Sequence, residues 1–488
     1  MNTQTSIRSN IIWSTVRNFC TRFGAVIVFF VLARVLEPEQ LGLFATVLAL
    51  IAFMEIIADA GIGDAIIQRK ELSERDLKTA LNLNLFLGLL LAASIAIFAD
   101  EISAWMEIEE ISDLLAVSAI GLFLNAAAFV PQAYYRRKFD FKWLAYRAFI
   151  SSLISGALGI TLALLGAGPW AMAAQFISLS VVNLVLVWWK RPFLPGAVLD
   201  GLALKDMTVF GAALLMSKIL YYATTRAIEL VIAVSFGPVA IAVYVMGNRI
   251  VAVAQQLLSA VTLDVYMPRF SRLVDKPEEL KSTLYQALEV TGAIAFPVFL
   301  GTAAISPEII EIAFGNNGTG AEPILRILAI LAALQSVLFY CGTLLNACGR
   351  PYLALVFQLI RAGFVVAVFI LFSDKSVGEL LNAFVVVWFA LAPVLIFMTW
   401  KVVKFSVIQI FLRLLPYIIA SVVMLMSLDF LRETAYFIDM NSVMKALIMC
   451  LLGAFIYTAI VLVFFRKRFK FVMRSILGKQ QETTKVMA

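Results

Sequence analysis

A chain of 488 residues that is 62% hydrophobic and 15% charged, with a mean hydropathy of +0.94 and a net charge of +7, is excluded from the soluble globular class, in which about a quarter of residues are charged. It contains no histidine, which removes the commonest general base and zinc ligand, and no G-x-x-x-x-G-K-[ST] stretch to hold ATP. Its four cysteines, Cys20, Cys341, Cys348 and Cys450, fall in apolar runs, where packing as small hydrophobes is expected rather than a disulfide framework.

Apolar windows of about 20 residues, the length of a membrane-crossing helix, recur fourteen times between charged breaks. Span 1 (10–34) follows a single cation, Arg8, and has no small-residue cleavage site after it, so it is expected to be retained; it carries Arg17 and Arg22. The corner VLARVLEPEQLGLF (31–44) leads into span 2 (41–66), which carries Glu55 and Asp59. Spans 3 to 6 follow at 79–99, 112–134, 145–166 and 169–189, with an acidic loop, DEISAWMEIEEISD (100–113), between the first two. The Pro/Gly-rich segment RPFLPGAVLDG (191–201) reads as a hinge before span 7 (207–235). On span 7, Lys218, Tyr222, Thr225, Arg226 and Glu229 lie within about 100° of one another at helical spacing, a polar stripe that lipid cannot face.

Span 8 (239–264) carries Asn248, Arg249, Gln255 and Gln256 at heptad spacing. Spans 9 and 10 (286–306, 324–348) flank the loop EIAFGNNGTGAEP (311–323), and span 11 (352–372) bears Gln358 and Arg361. Spans 12 to 14 (378–400, 409–429, 443–465) precede a basic tail, RKRFKFVMRSILGK (466–479), that reads as an anchor against an anionic leaflet. With the N-terminus inside, most of the 39 Lys and Arg residues fall on the cytoplasmic side, and only Arg34, Lys375 and Arg432 lie outside. That asymmetry sets both termini in the cytoplasm.

The first corner recurs 200 positions later as VIAVSFGPVAIAVY (231–244), with Pro238 where Pro38 stood, and Asp64/Asp264 and Arg69/Arg269 continue the match. An even number of spans separates the copies, so the repeats are parallel and related by an axis along the membrane normal. The expected fold is all-α and polytopic: an N-terminal lobe of spans 1–6 (1–190), a cytoplasmic linker (191–206), a second six-helix lobe (207–405), two appended helices (406–465) and a basic tail (466–488).

A charge at the centre of a spanning helix costs about 2.5–3.5 kcal/mol on insertion scales and needs a partner or water. At about 1.5 Å rise per residue, Arg17 matches Asp59 in depth and Arg22 matches Glu55. These are either neutralised pairs or groups that line a hydrated cavity and exchange partners during a cycle. Lys218, Arg249 and Arg361 have no evident carboxylate at their depth except Glu229. Excess cations suit a phosphate or pyrophosphate, whose oxygens match their donors; a cationic drug would call for exposed carboxylates instead.

The stretches ARVLEPEQLGLFA (33–45), ADAGIGDAIIQRKELSERD (58–76), VPQAYYRRKFDFK (130–142), FGPVAIAVYVMGNRI (236–250) and YMPRFSRL (266–273) resemble the polysaccharide-exporter flippases, the Wzx-like branch of the multidrug/oligosaccharidyl-lipid/polysaccharide superfamily. The resemblance implies alternating access around a central cavity in the bacterial inner membrane, and translocation of an undecaprenyl-pyrophosphate-linked repeat unit without covalent chemistry. It further implies Arg17, Arg22 and Arg249 as pyrophosphate ligands, to which the reading of intramembrane charges adds Lys218 and Arg361, and Glu55 and Asp59 as coupling groups, with Glu229 a further ion-pair candidate from that reading. The expected driving ion is H+ or Na+, with no other cofactor and no nucleic acid, and polymerase or export machinery is the expected protein partner. A cation-coupled multidrug antiporter of the same superfamily is the alternative; a membrane enzyme is disfavoured by the small external loops.

Overall fold

The computed structural model describes residues 24–468 other than 25, 70, 197, 199, 202–214, 217, 220, 221, 223–226, 262–265, 373, 435–439 and 467. Among them twelve helices are long and apolar enough to cross a membrane, so the protein is a multi-pass integral membrane protein. The chain forms two units, Met1–Ala242 and Val243–Ala488.

In the first unit, helix α1 (Val26–Val35) is the described end of span 1. The corner after it ends where Pro38 opens α2 (Pro38–Asp59), with the Glu37 backbone N–H donating to the Gln40 side chain at 3.4 Å. Proline is favoured there because the first helical position has no intrahelical acceptor for an N–H, and its fixed φ is already helical. A short helix, α3 (Ile62–Gln68), comes next, then α4 (Glu74–Ile97), the short helix α5 (Ala99–Met106), α6 (Ile111–Arg137), α7 (Phe141–Leu164) and α8 (Pro169–Trp189).

Small residues let these helices close up, as expected where van der Waals packing rather than water exclusion drives association: a Cβ on Gly88 of α4 would stand 2.4 Å from that of Ala126 on α6. Near the start of α4 and the end of α6, Ile62, Ile66, Leu81, Val130 and Ala133 form a core with Phe193, the first buried residue of the 191–201 segment. That segment is tied down further. Asn82 of α4 donates to the carbonyls of Gly196 (2.9 Å) and Val198 (3.1 Å), and Thr79 accepts from the Asp200 N–H at 3.0 Å.

The second corner lies inside α9 (Ala227–Val261), whose helical geometry is interrupted at Gly237 (φ 79°, ψ −177°) and resumes at Pro238. Both copies of the corner therefore restart a helix on proline. The second copy packs on the first: a Cβ on Gly42 would lie 1.7 Å from the Pro238 carbonyl oxygen, which accounts for the chain as far as Ala242 belonging to the first unit.

The second unit continues with α10 (Met267–Arg272), α11 (Pro277–Ala304), α12 (Ser306–Phe314), α13 (Ala321–Ala347), α14 (Pro351–Phe372), α15 (Val377–Val403), α16 (Val407–Arg432) and α17 (Ser442–Phe464). The expected loop at 311–323 is helical as far as Phe314 and continues as a 3-10 turn, Gly315–Gly318.

Buried acids fasten the last two of these helices. Glu289 of α11, 2% exposed, accepts from Arg413 at the start of α16 (3.0 Å), from Tyr417 (3.4 Å) and from Arg468 beyond the end of α17 (3.2 Å). Glu308 of α12, 3% exposed, accepts from Arg432 at the end of α16 (2.8 Å) and pairs with Lys445 in the first turn of α17 (3.4 Å). Each helix is thus pinned at both ends.

Candidate functional site

The site in the first unit begins with a break in the chain. Helix α2 stops because Ala60 (φ 48°) and Gly61 (φ 72°) are consecutive left-handed residues, a conformation an α-helix cannot include. Helix α3 then starts in a new direction, with Asp64 in its first turn, where the helix dipole favours an anion. Asp59, the last residue of α2, accepts the Gly63 N–H through Oδ1 at 3.3 Å and so supports the same turn.

The remaining Asp59 oxygen and Asp64 converge on one cation. Lys218 Nζ lies 2.6 Å from Asp59 Oδ2 and 2.7 Å from Asp64 Oδ2. Side chains of all three remain partly open, at 39% for Lys218, 19% for Asp59 and 37% for Asp64. The trio carries one net negative charge. This corrects the expectation that Lys218 has no carboxylate at its depth apart from Glu229: the depth count treated 41–66 as one straight helix, whereas the turn at Ala60–Gly61 folds Asp64 back toward the end of α2.

One turn earlier on α2, Glu55 accepts from Asn125 Nδ2 of α6 at 2.7 Å. A carboxylate and a primary amide thus meet between two packed helices, each long and apolar enough to span a membrane. Glu229, in the first turn of α9, is 6% exposed. Arg17, Arg22 and Arg226 lie outside the described residues, and with them the pairings of Arg17 with Asp59 and Arg22 with Glu55.

Two of the five expected phosphate ligands belong to the second unit. Arg249 is half-buried on α9, and six residues further on Gln255 donates to Gln335 of α13 at 2.9 Å. Arg361 is 8% exposed on α14, its guanidinium 5.2 Å from the centre of the Trp388 ring on α15. The structure thus brings together Lys218 and Asp59 from the expected set, sets Glu55 one turn away with Asn125, and places Arg361 against an aromatic face.

Asp64, Asn125 and Trp388 are the participants that sequence reasoning missed. The run Ala58–Asp59–Ala60–Gly61–Ile62–Gly63–Asp64 held a usable signal: two glycines between two aspartates in an apolar helix mark a break that can set both acids on one side.

A protein-family model described as polysaccharide biosynthesis protein matches residues 31–323. The chain is 26% identical over 356 residues to the lipopolysaccharide biosynthesis protein WzxC of Escherichia coli K12, covering 72% of this chain and 71% of that protein. It is 24% identical over 465 residues to the succinoglycan biosynthesis transport protein ExoT of Rhizobium meliloti, covering 94% and 93%. With the teichuronic acid biosynthesis protein TuaB of Bacillus subtilis it shares 24% over 464 residues, covering 92% and 94%. Among solved structures, the lipid II flippase MurJ in an inward closed conformation aligns with a TM-score of 0.76 at 14% identity, over 94% of this chain and all of that one. An inward-facing multidrug resistance MATE transporter aligns at 0.55 with 17% identity, over 85% and 95%. These structural likenesses are of fold.

Proposed function

We propose, because the chain belongs to the polysaccharide biosynthesis protein family, that it is a flippase carrying lipid-linked oligosaccharide repeat units across the bacterial cytoplasmic membrane for polysaccharide assembly. The observation that carries this reading is the length of the match: ExoT and TuaB, both named for polysaccharide biosynthesis, align over 94% and 92% of the chain. The family match and these relatives favour it over the drug antiporter. ExoT is named a transport protein, and the reaction needs no covalent step.

Fourteen spans form two six-helix lobes (1–190 and 207–405) joined by the 191–206 linker, with 406–465 appended and 466–488 as a cytoplasmic tail. An undecaprenyl-pyrophosphate anchor is gripped by Arg17, Arg22, Lys218, Arg249 and Arg361, whose donors suit its oxygens, while the glycan occupies the hydrated cavity and the polyprenyl tail stays in lipid. Rocking of the lobes alternates access, driven by H+ or Na+ acting on Glu55, Asp59 and Glu229, and the product passes to polymerase and export machinery. Both termini are cytoplasmic. Lys190 lies 4.3 Å from the centre of the Trp143 ring and Lys404 4.1 Å from that of Trp400, cation–aromatic pairs at helix ends that suit a membrane interface on either side.

The test is outward movement of a labelled lipid-linked repeat unit in vesicles. Wild-type protein is expected to translocate it and Arg249→Ala to do so at a reduced rate; wild-type vesicles indistinguishable from protein-free ones overturn the reading.

A further inference from the structure

Two carboxylates on one ammonium pose a question of charge. With Lys218 seated, the trio of Asp59, Asp64 and Lys218 carries a single excess negative charge; with Lys218 withdrawn, two carboxylates close enough to share one Nζ at 2.6 and 2.7 Å face each other without a cation. Like charges at that range repel, and the pair then calls for another cation beside it. A lysine ammonium is a point charge on a flexible four-carbon stem, and at 39% exposure its side chain has open space beside it. Lys218 is therefore a cation that can be handed over, and the acids are the partner that must be compensated when it goes.

We propose that Lys218 is shared between the Asp59–Asp64 pair and the phosphate groups of the substrate, so that a proton or a sodium ion on the acids releases the lysine to the phosphates. The inference rests on the flippase reading and deepens it, since it adds Asp64 as a positioning residue and makes Lys218 the physical link between driving ion and substrate. By linkage the effect is reciprocal: substrate phosphate raises the affinity of the acid pair for the cation by the factor by which the cation raises phosphate affinity.

Among the described residues, three further charged groups on the surrounding elements, Glu55, Arg137 and Arg69, are engaged elsewhere. On α2, Glu55 is held by Asn125 of α6. Arg137 of α6 donates to the carbonyls of Ile66 and Ile67 at the far end of α3. Beyond that end, Arg69 pairs with Asp76 of α4 at 3.6 Å. The cation dependence is accordingly assigned to Asp59 and Asp64.

The experiment measures binding of inorganic pyrophosphate to the purified full-length protein, at pH 6 and pH 8 without sodium and at pH 8 with sodium. Wild-type affinity should rise on the order of tenfold on acidification if the proton is the ion, or on sodium addition if sodium is. Asp64→Asn should bind tightly under all three conditions, Asp64→Glu should restore the dependence, and Lys218→Met should bind weakly throughout. Retention of the wild-type cation dependence in Asp64→Asn overturns the proposal, as does the absence of pyrophosphate binding to wild type. No step of this assay requires translocation, so loss of transport in vesicles would sink the flippase reading while leaving the linkage standing, and the reverse result would sink the linkage alone.

Discussion

Gly42 and Pro238 meet backbone to backbone: a Cβ on Gly42 would stand 1.7 Å from the Pro238 carbonyl oxygen and 2.4 Å from its carbonyl carbon. Neither atom is the movable end of a side chain, so even one methyl group must push the two corners apart. Gly42→Ala is expected to lower stability by about 1–3 kcal/mol, the usual range for overpacking, and Gly42→Val by more. Gly363→Ala is the control, because its Cβ meets nothing within 4 Å and alanine is the better helix former by about 1 kcal/mol. Thermal midpoints of the purified proteins decide the matter; equal midpoints for Gly42→Ala and wild type would refute the contact.

Gly237 is constrained for a different reason. Space around it is open, but φ 79° with ψ −177° is a backbone region that only glycine occupies readily. Gly237→Ala should therefore cost about 1–3 kcal/mol although no atom is touched. A denaturant midpoint unchanged by this substitution would show that the interruption before Pro238 does not depend on glycine.

Asn125 is the described hydrogen-bond donor to Glu55, at 2.7 Å. Asn125→Leu should destabilise by about 1–3 kcal/mol, the cost of leaving a buried polar group unsatisfied. The double variant Asn125→Leu/Glu55→Leu should recover much of that loss, since replacing both partners removes the orphan. A double-mutant cycle on unfolding midpoints gives the coupling, and strict additivity would dismiss the pair as an energetic unit.

Docking of the 191–201 segment on α4 can be read by protease. Asn82→Leu removes the donor to the Gly196 and Val198 carbonyls, and Thr79→Val removes the acceptor for the Asp200 N–H. The double variant should be cleaved in this segment severalfold faster than wild type. Equal cleavage rates would mean that the Phe193 core contact alone holds the segment.

The spanning helices were legible because runs of about 20 apolar residues leave few alternatives in a bilayer, and the paired corners were legible because proline is restrictive wherever it falls. Ion pairs were not. Lys218 and Asp59 are 159 positions apart, and depth counted along a straight helix failed where Ala60 and Gly61 turned the chain. Asn125 looked like any amide on a packed face until Glu55 stood beside it. Arg361 had an aromatic ring for a neighbour, and nothing in spacing along one helix names a partner on the next.

Glu289 and Glu308 also set an order on biosynthesis. Both are made, and committed to the membrane, before the ribosome reaches Arg413, Arg432, Lys445 and Arg468, the cations that compensate them. Until those arrive the nascent protein holds two carboxylates awaiting counter-ions, and breaking a buried pair costs about 3–5 kcal/mol. A chain stopped at residue 405 should then be a substrate for membrane quality control, with a shortened half-life in pulse-chase labelling. Glu289→Gln/Glu308→Gln in the same shortened chain should lengthen that half-life; if it does not, the acids are not what marks the unfinished protein.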